Sequence, residues 1–414
     1  MAKAETVAVR RAETAQPAAR PERRETARAV PGVALLGLGD IDPGLRREWR
    51  ELGAASENPN PFFLHWFLEP ALARLDPGHR VRLLTVRDGA GALIALMPLT
   101  FEIGYAKLPL RHACLWSHRH CYNGAPLIAR GAEDATVAAL LAWLDTRPEG
   151  ARFLRFPNLP VDEHPATRLR EGAEAARRDW RIQYRHERAI LAAGLEPNAM
   201  LEAAFSGKKR KELRRLASRF ADLGEPLFTD LALDTPGSTA IDAFLAMENA
   251  GWKGDDPQGF PLAASEAESG FFRRAMQGGA REGAVLCTAL TLDGKPTAML
   301  FSLGAGGRLS AFKTSYDESL AAYSPGLRLI VEASRRMLED DEDEAYAVFD
   351  SCARPGHPVV DRLWPGRTAI AQINVPAAGP ADRWLLRLAE TLERLKMRAV
   401  RAFRRSPQKG RPTP

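Results

Sequence analysis

Two hydrophobic rhythms alternate along the chain. The runs VRLLTV (81–86) and ALIALMPL (92–99) are short and apolar, and they flank Asp88-Gly89-Ala90-Gly91, which predicts a hairpin. A helical rhythm follows at 133–146, with Glu133 and Asp134 at its positive end. FLRF (153–156), a helix near 165–178 and a strand near 181–191 complete the first half. In the second half, Ser206 is suited to cap a helix running to about Leu223, with Leu213, Leu216, Ala217 and Phe220 on one face. After Gly224-Glu225-Pro226 come a strand, a helix from about Pro236 and another near 264–277. Strands at 284–292, 296–304 and 308–316 are joined by Asp293-Gly294 and Gly306-Gly307, both hairpin turns. A helix after Ser324-Pro325-Gly326, a strand at 345–350, a short helix near 358–364 and a strand at 368–375 end the series.

Both halves therefore fit the order β-α-α-β-β-β-α-β-α-β, the second more closely than the first. The expected fold class is α/β (α+β): two tandem domains, each a mixed, mostly antiparallel sheet with flanking helices. The expected divisions are a disordered tail at 1–29, a divergent N-terminal domain at 30–195, a C-terminal domain at 196–378, and a basic amphipathic helix with a disordered tail at 379–414.

Charge sharpens this picture. The 414 residues carry a formal net charge of +6. Residues 383–414 hold ten Lys or Arg against two acids, a net +8, and residues 1–29 hold seven against four, a net +3. Of the total +6, that leaves −5 for residues 30–382. A body of that sign lacks the concentrated basic face that nucleic-acid binding requires, so no nucleic acid is expected as partner. The first thirty residues contain no apolar core of a signal peptide, and the four cysteines form no CxxC spacing. A cytoplasmic location is expected.

Candidate chemistry gathers late in the chain. The turn Tyr323-Ser324-Pro325-Gly326-Leu327-Arg328 leads from a strand into an amphipathic helix. Free N–H groups at such a helix start, a glycine that admits close approach and an arginine together suit a phosphate. An ordinary Ser-Pro helix start reads the same way. Lys208 to Arg219 form a basic helix face, either solvated or in contact with an anion. His112, Cys114, His118, His120 and Cys121 crowd ten residues without a standard zinc spacing. No metal is expected there, and with Tyr122-Asn123-Gly124 the run is better suited to lining a cleft. The final helix, Trp384 through Phe403, pairs leucines with Arg and Lys, so it either packs on the body or makes peripheral contact with anionic lipid.

KTSYD (313–317), YSPG (323–326), FDSCA (349–353) and HPVVDRLW (357–364), in that order, resemble the acetyltransferase domain of CelD type, within the GNAT superfamily and related to FemAB-like transferases. KKRKELRRL (208–216) and GWKG (251–254) fit earlier blocks of that domain. PFFLHWFLEPAL (61–72) and Pro98-Leu99 resemble a divergent leading copy. The resemblance spans roughly 60–375 and is strongest over 205–365. It implies two GNAT-like domains and a gap between strands 308–316 and 345–350 that holds acyl-CoA, acetyl-CoA above all. Ser324, Pro325, Gly326, Leu327 and Arg328 would cradle the pyrophosphate in the second copy. It implies an N- or O-acetyltransferase working on a saccharide or small-molecule acceptor in cellulose or exopolysaccharide synthesis. A FemAB-like aminoacyl transferase and a non-catalytic scaffold at a membrane synthase are the alternatives. Acyl transfer needs a base, an acid and oxyanion donors. Asp350 is the candidate base or substrate-binding group, His357 a second titrating group, and Tyr316 a proton donor to the leaving thiolate. Lys313 is placed to pair with Asp350 or to meet a phosphate. Cys352 is a weaker candidate nucleophile.

Overall fold

The computed structural model describes residues 32–235, 239–251, 260–339 and 346–405, with side chains to 396. The two expected disordered tails, the helix start at Pro236 and most of GWKG (251–254) lie outside the described residues. The strands are β1 (Val33–Leu36), β2 (Arg82–Arg87), β3 (Leu93–Tyr105), β4 (Leu108–Leu115), β5 (Leu127–Ile128), β6 (Phe153–Pro160), β7 (Arg181–Ala192), β8 (Pro226–Asp230), β9 (Val285–Leu292), β10 (Lys295–Ala305), β11 (Arg308–Tyr316), β12 (Val348–Asp350) and β13 (Gly366–Pro376). The helices are α1 (Pro43–Ala55), α2 (His65–Leu75), α3 (Glu133–Asp145), α4 (Ala166–Ala175), α5 (Pro197–Ala204), α6 (Gly207–Ala221), α7 (Ala240–Ala250), α8 (Glu266–Arg281), α9 (Pro325–Glu339), α10 (Val360–Leu363) and α11 (Pro380–Arg405).

The thirteen strands of the described residues form one mixed sheet, ordered β1-β2-β3-β4-β6-β13-β7-β12-β11-β10-β9-β8, with β5 beside β3. Local chemistry explains most of its turns. Gly306 and Gly307 take φ of 53° and 71° between β10 and β11, a left-handed pair that glycine adopts without steric cost. Ser206 accepts the Lys209 N–H at 3.3 Å and so starts α6.

Strand partnership departs from the sequence order. β7, the expected last strand of the first half, pairs antiparallel with β12 of the second. β13, the expected last strand of the second half, pairs with β6 of the first, and β7 and β13 pair with each other. The two halves have exchanged closing strands at the sheet centre. One continuous core reflects this. Phe62 and Phe67 from the first half meet Phe312 of the second, and Phe67 also meets Phe271, with ring centroids 5.2–6.1 Å apart. A second core on the other face packs α5, α6 and α9 around Phe220, Leu329 and Trp364. Each fully buried Phe or Leu contributes about 1.5–3 kcal/mol.

Each half also contains one parallel neighbour pair, β4 with β6 and β11 with β12. β11 and β12 are paired only from Arg308–Ser310 to Val348–Asp350. Beyond Ser310, β11 continues to Tyr316 without β12 beside it, so a gap opens toward the start of α9.

Candidate active site

The wall of that gap is shaped by a bulge in β11. Lys313 lies opposite Phe301 and Ala311 opposite Ser302, which leaves Phe312 as an extra residue. A bulge re-aims neighbouring side chains. Here the Lys313 ammonium donates to the Tyr122 hydroxyl at 3.0 Å and lies near the Tyr122 and Phe312 rings. Burial pulls the Lys313 ammonium below its usual range, against the opposing pull of Glu248 and Glu268.

Tyr122 belongs to a loop of the first half that also brings His118 and His120 to the bulge. His120 Nε2 lies 2.5 Å from Glu268 Oε2 of α8, and its ring stacks on Phe271. Its other nitrogen, Nδ1, is buried without a hydrogen-bond partner, as is His118 Nε2. Burial, then the neighbouring His120 and Lys313, push His118 down to about 3. Burial also lowers His120, although the Glu268 hydrogen bond opposes it. For Glu268, burial favours the neutral acid, but the His120 hydrogen bond and the nearby Arg119 outweigh it and hold the carboxyl below the usual range. The pair at neutral pH is therefore a neutral imidazole donating Nε2–H to a carboxylate. That arrangement leaves Nδ1 as a free lone pair, with a carboxylate ready to stabilise the imidazolium formed when it accepts a proton.

Across the gap, Asp350 ends β12, 1% exposed. Its Oδ2 takes Arg188 Nη2 of β7 at 2.6 Å and Arg308 Nη2 of β11 at 3.4 Å. Its Oδ1 accepts the Cys352 N–H at 2.9 Å, which a left-handed Cys352 (φ 51°) turns back toward it. Burial alone would raise the Asp350 carboxyl; the two guanidiniums hold it below the usual range instead. Arg308 also pairs with Glu163 at 2.9 Å, and Arg188 donates to the Tyr122 carbonyl at 2.6 Å. Strands β7, β11 and β12 meet in this network, with Glu163 and Tyr122 from loops of the first half. The expected Lys313–Asp350 pair is absent: Arg188 and Arg308 occupy the carboxylate, and Lys313 turns to Tyr122. The Cys352 thiol is pushed up to about 12, burial being the main cause, with the Asp350 charge adding to it. That makes it a poor nucleophile.

At the far end, Ser324 takes a left-handed φ of 53° and turns the chain into α9 with Pro325 at its first position. Arg328 is the first residue to donate within the helix, to the Ser324 carbonyl at 3.1 Å. The Gly326 and Leu327 N–H groups precede that bond and face outward from the helix start. Tyr316 packs on this turn: a Cβ at Gly326 would meet its Cδ1 at 3.1 Å. Arg328 lies over Phe220 and Phe228, and its Nη1 is buried without a partner. It shares a cavity of about 550 Å³ with Arg210 and Arg214 of α6, beside Phe205, Phe228 and Leu327. The basic helix face expected from Lys208 to Arg219 therefore aims at least two of its arginines at α9.

His357 stands apart from these groups. It is exposed, and its Nδ1 accepts the Val359 and Val360 N–H groups at 3.3 and 3.4 Å, capping α10. The crowded run splits as well. His112 stacks on Phe153 and meets Glu102, while His118, His120 and Tyr122 pack around Phe271 and Phe312. Among the described residues, the one group with metal-like ligand spacing is Glu57, Glu133 and His164, outside this region.

Residues 207–353 match a family model described as Acetyltransferase (GNAT) domain. No curated protein matches the sequence. Among solved structures, the chain is similar to FemX, with a TM-score of 0.50 at 10% identity, covering 83% of this chain and 98% of that one. A conserved protein of unknown function from Bacteroides thetaiotaomicron VPI-5482 gives 0.48 at 13% identity, with 82% and 98% covered. L-PGS from Bacillus licheniformis gives 0.47 at 13%, with 85% and 97% covered. At these identities the FemX likeness speaks to fold alone. The stretch matched by the GNAT acetyltransferase domain model, 207–353, contains β11, the start of α9, β12 and the gap between them.

Proposed function

We propose that the protein is an acyl-CoA-dependent acyltransferase, with acetyl-CoA as the preferred donor and an amine or hydroxyl of a saccharide or other small molecule as acceptor. The observation that carries this reading is the gap between β11 and β12, which opens on the N-terminus of α9 beside three arginines. A CoA pyrophosphate at Gly326 and Leu327 would receive two N–H donors and the helix dipole. The unpaired Arg328 and the adjacent Arg210 and Arg214 would complete its charge. The thioester would lie along β11 near Lys313.

His120 is then the base. The acceptor nitrogen or oxygen attacks the thioester carbonyl and gives its proton to Nδ1, while Glu268 holds the imidazolium. The C–S bond breaks, and the CoA thiolate takes the proton back from the His120 imidazolium, which resets the base; Tyr316 packs on the Gly326 turn at the pyrophosphate end. Lys313 and Tyr122 stand where the carbonyl oxygen would gather charge. Asp350 keeps the wall in place through Arg188 and Arg308. The polysaccharide setting rests on the motif resemblance. The −5 body disfavours the alternative of an aminoacyl-tRNA donor, whose phosphates would need a broad basic groove.

The test is calorimetric titration and thermal shift of the full chain with acetyl-CoA. A ligand at 100 times its Kd adds about 2.7 kcal/mol of stability. Gly326→Asp places a carboxylate against the pyrophosphate and should cost about 2–3 kcal/mol of binding. No shift with acetyl-CoA overturns the donor, and unchanged affinity in a folded Gly326→Asp protein overturns the cradle.

A further inference from the structure

Helix α11 runs for 26 residues and is bound to the body along one side. Leu386 and Ala389 are buried beside Tyr105, Leu110 and Phe153. Buried Asp382 pairs with Arg147 at 2.6 Å and Arg152 at 2.7 Å, and buried Glu390 pairs with Arg181 and Asn374. Arg387 reaches Asp179 at 2.9 Å. The opposite side is apolar too. Trp384, Leu388, Leu392 and Leu395 are 63%, 37%, 41% and 55% exposed. Spaced by four, four and three residues, they fall within an arc of about 80° at 100° per residue, roughly opposite Leu386 and Ala389.

We propose that this outer stripe of α11 rests on an anionic membrane surface. Scattered exposed leucines would need no explanation, but four large apolar groups aligned on a docked helix form a continuous strip. The surrounding charge selects the partner. Arg383, Arg387, Arg394 and Lys396 share the helix with the strip. A neighbouring surface hollow brings Lys107 and Arg155 beside Arg394 and Lys396, with Glu393 as its acid. From 397 to 414 the sequence adds six Lys or Arg and no Asp or Glu. An indole and leucines framed by cations match the boundary between lipid headgroups and acyl chains. A second copy of the chain would instead press one +8 segment against another, which opposes self-association through this face. Among the described residues no helix is long and apolar enough to cross a membrane, so the contact is one of lying on the surface.

The experiment is co-sedimentation of the full chain with vesicles of phosphatidylcholine alone, or with 30% phosphatidylglycerol, at low and high salt. Binding should require phosphatidylglycerol and fall at least tenfold at high salt. Leu388→Ser/Leu392→Ser removes half the strip from exposed positions. It should lower binding tenfold or more with an unchanged melting temperature. If that variant unfolds, Arg394→Glu/Lys396→Glu tests the same surface through its charge and should weaken binding similarly. The proposal is overturned if the full chain stays in the supernatant with anionic vesicles, or if folded variants bind like the parent. It is equally overturned if sedimentation without lipid reveals a dimer that Leu388→Ser/Leu392→Ser abolishes.

Discussion

Replacing Asp350 with Asn separates two roles that the sequence alone leaves entangled. The carboxylate is 1% exposed and Arg188 4%. Arg188 Nη2 is 2.6 Å from it, and Arg188 Nε has no partner of its own. Arg308 retains Glu163 at 2.9 Å whatever happens at 350, so the loss falls on Arg188. Asn can still accept one hydrogen bond, but it removes the charge and can turn an NH₂ donor toward a guanidinium donor. Leaving one partner of a buried pair uncompensated costs about 3–5 kcal/mol, whereas replacing both by apolar groups is often nearly neutral. Asp350→Asn should therefore lower the unfolding free energy of the full chain by about 3–5 kcal/mol in urea titration. Asp350→Leu/Arg188→Met should recover most of it. Because the native carboxyl is held below its ordinary range, its stabilisation is present above the unfolded value and is lost as pH falls through the lowered one. An Asp350→Asn protein within 1 kcal/mol of the parent, yet a hundredfold slower, would refute the structural role and restore Asp350 as the base.

Four further outcomes follow from the geometry. His120→Gln should lower kcat by about 10²–10⁴-fold, the usual worth of a general base. Glu268→Gln should lower it less and move the acid limb of the kcat/KM profile to lower pH, because Glu268 supports the protonated imidazole; an unmoved limb would remove Glu268 from that role. His118, pushed down to about 3 by burial, binds its proton in the unfolded chain first. Stability should therefore fall as pH drops from about 6.5 toward 3, by at most about 1.4 kcal/mol per pH unit from this group. The gap between parent and His118→Gln unfolding free energies across that range checks it. Deleting 380–414 removes the buried Leu386 and strips Arg147 and Arg152 of Asp382, so the melting temperature should fall by several degrees; an unchanged value would mean that the helix contributes nothing to the fold.

Local chemistry was legible wherever it acts over a few residues. Asp293-Gly294 and Gly306-Gly307 mark the β9–β10–β11 meander, Ser206 marks the start of α6, and Ser324-Pro325-Gly326 marks the start of α9. The wall of the gap was not, because its partners are distant in sequence. Lys313 and Tyr122 are 191 residues apart, and His120 and Glu268 are 148 apart. The available signal was the crowd of His and Cys from His112 to Cys121, singled out as lining a cleft. Only tertiary packing shows that His120, with its carboxylate partner Glu268 and its free Nδ1, lies against Phe312, whereas His112 meets Glu102 beside Phe153. Asp350 was ambiguous for the same reason: a carboxylate ending an apolar strand reads equally as a base, a substrate-binding group or a buried acceptor, and Arg188, which lies against it, is 162 residues away.

The exchange of closing strands explains why the candidate site takes residues from both halves. A strand's alternation of apolar and polar positions fixes which face is buried but not which neighbour it joins. β7 and β13 read identically as last strands of their own halves. Their crossing places Arg188 of β7 between Asp350 of β12 and the Tyr122 carbonyl, which pins the His118–Tyr122 loop against the second half. The bulge at Phe312 then aims Lys313 at that loop, to be met by Tyr122, beside His120 and Glu268 of α8. In the proposed mechanism the first half would contribute the base and part of the oxyanion wall, and the second half the donor cradle at α9. A matched domain over 207–353 alone would hold the cradle without the imidazole, so acyl transfer by this mechanism depends on both halves and on the strands that bind them together.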